Sequence, residues 1–139
     1  MTSLSEAREQ VYQTWVDNVP SGLDSWTFEN EEGFEEPDQD KCWARVLMRS
    51  IGGGQETLGA SGGRKFRRTA SVLVEIFTPR GRGLGKGDDL AHAVRDIYEA
   101  RSIGGLDFTD GTVVEVPPSA DSKTIQHLVQ VLFDYEEKK

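Results

Sequence analysis

The residues able to bond, ligate or exchange protons are few and scattered in this chain. Gly81-Arg-Gly-Leu-Gly-Lys-Gly87 lies between a strand pattern and a helix pattern, where a phosphate-cradling loop would stand. The phosphate-loop signature is G-x-x-x-x-G-K-[ST]. Here Gly81 and Gly85 are one residue too close, and Gly87 occupies the place of the magnesium-binding hydroxyl. Gly81-x-Gly83 also lacks the later glycine of a dinucleotide loop, at position 86. No cofactor is therefore expected, and the segment reads as a connection into a helix. His92 and His127 fall on separate elements with no ligand-rich neighbourhood. Catalytic zinc wants three protein ligands, so no metal site is expected. Ser61 and Ser71 have no nucleophile-elbow context. Cys42 sits on the apolar face of a strand pattern and reads as a buried, inert thiol. The pairs Glu31-Glu32 and Glu35-Glu36 lie in a run too polar to raise a carboxyl pKa by burial, as general acid chemistry requires. No catalytic constellation is expected, and the chain does not read as an enzyme.

Charge is the stronger signal. Arg64, Lys65, Arg67 and Arg68 precede the most apolar strand pattern, and Arg80, Arg82 and Lys86 follow it. A straight strand puts the two groups at opposite ends, so they cannot form one compact phosphate patch. They read instead as solvated loops or as contacts to a partner, with Arg64, Lys65, Arg67, Arg68, Arg80 and Arg82 the contact candidates. Residues 1–40 hold 11 acids and one base, residues 41–87 ten bases and two acids, and residues 88–139 five bases and 11 acids. The net charge of −8 thus hides alternating blocks, a pattern suited to charged partners or to other copies of the chain. A net-acidic chain argues against general duplex binding.

The elements that would carry these residues follow from periodicity. Residues 3–19 predict an amphipathic helix, with Leu4, Ala7, Val11, Trp15 and Val19 three or four apart and a Ser3/Glu6 capping box. Residues 25–29 alternate as a short strand, and 30–40 form an acidic loop. Lys41 to Ile51 is a strand, with Cys42, Ala44, Val46 and Met48 on one face. The Gly-rich run beyond it predicts a flexible loop near 52–66. Thr69 to Thr78 is the central strand. Ala70, Val72, Val74 and Ile76 make one face, and Leu73 with Phe77 gives the other apolar character too. Helices would cover one of these faces, and a second subunit is a candidate for the other. Asp88 to Arg101 predicts a second helix closed near Gly104-Gly105. Residues 112–116 and 124–135 predict the last two strands.

The chain has 139 residues, 36% of them hydrophobic, one Cys and 15 Gly, which fits a single domain spanning 1–139. A chain of that length buries roughly two-thirds of its unfolded surface and needs no disulfide. No run approaches the roughly 18 apolar residues of a membrane span. Residues 1–9 lack a secretory signal pattern, so a soluble protein of a reducing compartment is expected. The predicted class is α+β: a mainly antiparallel sheet of four to five strands with two helices packed on one face.

Four segments together resemble a known family: Arg68-Thr-Ala-Ser-Val-Leu-Val-Glu-Ile-Phe-Thr-Pro-Arg-Gly-Arg-Gly83, Asp89-Leu-Ala-His-Ala-Val-Arg-Asp-Ile-Tyr98, Phe108 through Val116, and the last strand ending Val131-Leu-Phe-Asp-Tyr135. With Trp26-Thr-Phe-Glu-Asn30, Glu36-Pro37 and Trp43-Ala-Arg-Val46, they are similar to the tail-terminator, or tail-completion, proteins of long-tailed bacteriophages. Residue pair Thr69-Ala70 departs from that family's frequent glycine before the central strand, and the acidic 29–40 run is a second departure. The resemblance implies a structural virion protein at the head-proximal end of the tail. As a homohexameric ring it would stop tail-tube polymerisation and meet the head connector, with DNA only as passing cargo, and it would be assembled in the host bacterial cytoplasm. Under that implication Glu31, Glu32, Glu35 and Glu36 are candidates to face the lumen. Other readings are another phage neck or head-closure protein, or a nucleic-acid-binding module built on the Arg-Gly loops.

Overall fold

The computed structural model describes residues 2–27, 41–55, 57, 63–81, 84–117 and 124–138. Helix α1 spans Leu4–Asn18, as its apolar stripe dictates. The Ser3 hydroxyl accepts the Glu6 N–H at 3.2 Å, and the Glu6 carboxylate accepts the Ser3 N–H at 3.1 Å. That reciprocal pair satisfies two orphan donors at the helix start. Ala7, Val11 and Trp15 are fully buried.

Strands β1 (Asp24–Thr27), β2 (Trp43–Gln55), β3 (Lys65–Pro79), β4 (Ser102–Ile103), β5 (Leu106–Val116) and β6 (Thr124–Lys138) form one sheet in the order β1-β2-β3-β6-β5-β4. Helix α2 spans Leu84–Tyr98. Only β1 runs parallel to its neighbour; every other pair is antiparallel. The fold is α+β, with both helices packed on one face of a mainly antiparallel sheet. Ala44, Val46, Val72, Val74, Ile76, Val129, Val131 and Phe133 turn to that face and form a single core with Trp15, Val94 and Tyr98. The period-2 alternation of β2, β3 and β6 is the cause: one register puts all three apolar sets on the same side. The Tyr98 hydroxyl donates to the Val11 carbonyl at 2.9 Å and ties the two helices together inside the core.

The expected 52–66 loop is shorter than the sequence suggested. Gly52, Gly53, Gly54 and Gln55 belong to β2, paired with Thr69, Arg68, Arg67 and Phe66. Glycine is a poor strand former by itself, but the long β3 edge supplies a ladder that holds it. A register shift between Ser50 and Gly52 marks a bulge. Gly53 sits at φ 146°, where a Cβ would fall 2.1 Å from the Arg67 carbonyl oxygen. The close approach of two backbones therefore requires glycine there. The acidic 30–40 run lies outside the described residues.

Three more boundaries differ. Helix α2 begins at Leu84 rather than Asp88, so Gly85, Lys86 and Gly87 are helical. It ends at Tyr98, and the chain turns at Ala100, a left-handed residue at φ 57°, rather than at the glycine pair. Gly104 and Gly105, at φ 55° and 86°, form the two-residue turn between the paired Ile103 and Leu106. Positive φ at both central positions is the hairpin geometry that glycine serves best. The last predicted short strand is also longer, because β5 starts at Leu106 and absorbs Thr109 and Asp110 at a register shift between Phe108 and Gly111.

Candidate functional site

The face of the sheet opposite the helices is built from the other half of the same alternation. Trp43, Arg45, Leu47 and Arg49 on β2 lie opposite Phe77, Glu75, Leu73 and Ser71 on β3. Gln126, Leu128, Gln130 and Leu132 on β6 continue the rows, and Val114 and Val116 on β5 extend two of them. The Trp43 and Phe77 rings stack with centroids 4.1 Å apart. The Arg45 guanidinium lies 5.9 Å and 5.6 Å from those two ring centres and pairs with the Glu75 carboxylate. Beside this polar centre, Leu47, Leu73 and Leu128 are half-buried, while Val114 and Leu132 are exposed at 47% and 40%. Trp43 is only 2% exposed, so the face is closed at that end; around Leu47, Leu73 and Leu128 no described element covers it.

An open groove of ≈ 730 Å³ runs from this face around the edge of β2, lined by Tyr12, Leu47, Met48, Arg49, Leu73 and Leu128 among others. It exists because β1 pairs with β2 only from Trp43 to Val46. From Leu47 onward that edge has no strand partner among the described residues. Unpaired strand edges are templates for pairing with another chain. The opposite side of the molecule is acidic: α1 exposes Glu6, Glu9 and Asp17, together with Val16 at 61%.

The basic residues that the sequence singled out are split as expected between the two ends of β3. Arg64 and Lys65 are exposed at its start and Arg80 at the turn after its end. A 15-residue strand separates them by roughly 45 Å. Arg67 and Arg68 find their carboxylates inside the chain. Arg67 Nη2 lies 3.2 Å from Asp134 Oδ2, and Arg68 Nη2 3.1 Å from Glu137 Oε1, both across the β3–β6 ladder. Arg68 also covers the Phe66 ring at 4.9 Å. Reversing these charges would disturb the sheet itself, which removes them as selective probes of a partner. Arg82, Glu31, Glu32, Glu35 and Glu36 lie outside the described residues. Cys42 is buried, as its strand face implied.

The expectation that His127 lacks ligand-rich neighbours is overturned. Its side chain is fully buried, and Nε2 lies 3.0 Å from Asp88 Oδ1. Glu115 faces it across the β5–β6 register. One ligand atom from each of Asp88, Glu115 and His127 lies within 4.8 Å of the others. These residues are far apart in the chain, and only the docking of α2 on the β5–β6 pair unites them. The one local signal was the apolar alternation of β6, which puts His127 on the covered face. His92, by contrast, is exposed on α2 and faces Asp96 one turn on, at 3.3 Å.

No protein-family model matches the chain, and no curated protein matches it. A solved structure whose name states no activity has the same fold, with a TM-score of 0.51 at 13% identity over 97% of this chain and 92% of that one. At such identity the likeness concerns the fold alone. Among the described residues, no helix is long and apolar enough to cross a membrane.

Proposed function

We propose that this chain is a non-enzymatic wall segment of a ring, of the tail-terminator type. Copies pack side by side into a hexamer that ends a phage tail tube and offers its other rim to the head connector. The observation that carries this reading is the sheet face with Leu47, Leu73, Leu128, Leu132 and Val114 around the Arg45–Glu75 pair, which no described element covers. An apolar sheet face beside an unpaired edge calls for a protein partner. Its charge favours a second copy of the chain: Arg49 on this face has no carboxylate partner among the described residues, while α1 carries exposed Glu6, Glu9 and Asp17. Contacts between two different surfaces of identical chains close into rings when the rotation permits. The residue strings that resemble tail terminators supply the hexamer, the tube and the connector. A nucleic-acid module draws less support, because Arg67 and Arg68 are already engaged by Asp134 and Glu137.

The test is a Leu73→Asp/Leu128→Asp variant, which charges the open face without touching the core. Circular dichroism and the thermal midpoint check that it folds. Wild-type protein mixed with tail tubes should cap them at one end as rings in electron micrographs, and the variant should leave the ends bare. Capping by the folded variant, or tube ends left bare by the wild type, would overturn the reading.

A further inference from the structure

We propose that Asp88, Glu115 and His127 form a binding site for a divalent cation of the zinc class. Two carboxylates converge on one imidazole nitrogen. No Lys or Arg among the described residues pairs with either of them. The three potential ligand atoms lie within 4.8 Å of one another, a spacing that one cation can bridge. A divalent ion would cancel both carboxylate charges.

The second observation is the histidine itself. His127 has no solvent exposure, and its Nδ1 has no hydrogen-bond partner among the described residues. Gly87 packs on the ring edge between the two nitrogens, where a Cβ would fall 2.3 Å from Cε1. Nε2 is the ring nitrogen that meets a carboxylate, that of Asp88. Burying an imidazole for a single contact to a half-exposed carboxylate returns little. The same burial with a metal bond at Nε2 has a clear return. One imidazole nitrogen with two carboxylate oxygens is a donor set that zinc accepts, whereas calcium and magnesium favour oxygen alone. Asp88 and Glu115 are exposed, so their rotamers can close on an ion and a further position stays open to water. The ion would pin the first turns of α2 to β5 and β6.

The site owes nothing to ring formation, so its test uses the full chain alone, stripped with chelator. Titration with Zn2+ should give one ion per chain by calorimetry. The thermal midpoint should rise by roughly 5–10 °C when Zn2+ is a hundredfold above its Kd. Co2+ in its place should give visible d–d absorption from a low-coordinate site. Asp88→Asn/Glu115→Gln, at two exposed positions, should fold and bind Zn2+ at least about tenfold more weakly. His92→Ala should bind as wild type. Failure of the wild type to take up Zn2+, unchanged affinity in the double variant, or loss of binding on His92→Ala would each overturn the proposal.

Discussion

Replacing Gly87 with alanine should destabilise this protein, although alanine is the better helix former. Helix propensity alone favours alanine by about 1 kcal/mol at an interior position. The structure opposes this with a steric cost. A Cβ at residue 87 would lie 2.3 Å from Cε1 and 2.7 Å from Nδ1 of His127. Carbon contacts settle at about 3.5–4.0 Å, so the ring must retreat by more than about 1 Å. It is fully buried and has little room to do so. Retreat also draws Nε2 away from Asp88, at 3.0 Å. Overpacking of this kind costs about 1–3 kcal/mol, and the strained contact to Asp88 adds about 1 kcal/mol. The net expectation is a loss of about 1–3 kcal/mol, read from urea unfolding in metal-free buffer. A double-mutant cycle isolates the cause. With His127→Ala already in place the clash is gone, and Gly87→Ala should be neutral or stabilise by up to about 1 kcal/mol. If Gly87→Ala stabilises the wild-type chain, or has the same effect in both backgrounds, the packing argument is wrong.

Two further outcomes rest on single residues. Ala100 holds a left-handed φ of 57° at an exposed position, so Ala100→Gly should raise stability by about 1 kcal/mol and the thermal midpoint by about 3 °C; a lowered midpoint would contradict this. Burial pushes the Tyr98 phenol well above its ordinary pKa of 10.0, with Tyr12 beside it adding to the rise. The unfolded chain therefore loses this proton near pH 10 while the folded chain keeps it, and stability falls as pH rises past that point. Tyr98→Phe should cost about 1 kcal/mol at neutral pH through loss of the bond to Val11, yet decline less steeply above pH 10; parallel pH profiles for the two proteins would refute it.

The legibility of the fold varied with how local its causes are. Helix α1 could be read directly, because its stripe and its capping box both lie within the segment. The central strand was equally plain, since Val72, Val74 and Ile76 alternate without interruption. The start of α2 was hidden by Gly85 and Gly87, which lower helix propensity where the turn is held by packing on β6. The glycines of β2 read as loop because glycine alone favours no strand, and β3 recruits them by its length. The turn after α2 falls at Ala100 because the sheet fixes where the chain must reverse, and Ala100 N–H bonds the Thr109 carbonyl at 3.1 Å.

By itself the sequence determined the class, the two helices, the central strand, the alternation of each long strand and the separation of the two basic groups. All of these follow from periodicity and charge within short windows. Tertiary structure alone decided which carboxylates Arg67 and Arg68 would meet, which side of the sheet the helices cover, and that His127 would sit with Asp88 and Glu115. Those outcomes depend on strand register and helix docking. A register that differs by one residue exchanges the two faces of a strand, and no local pattern specifies which distant strand it will pair with.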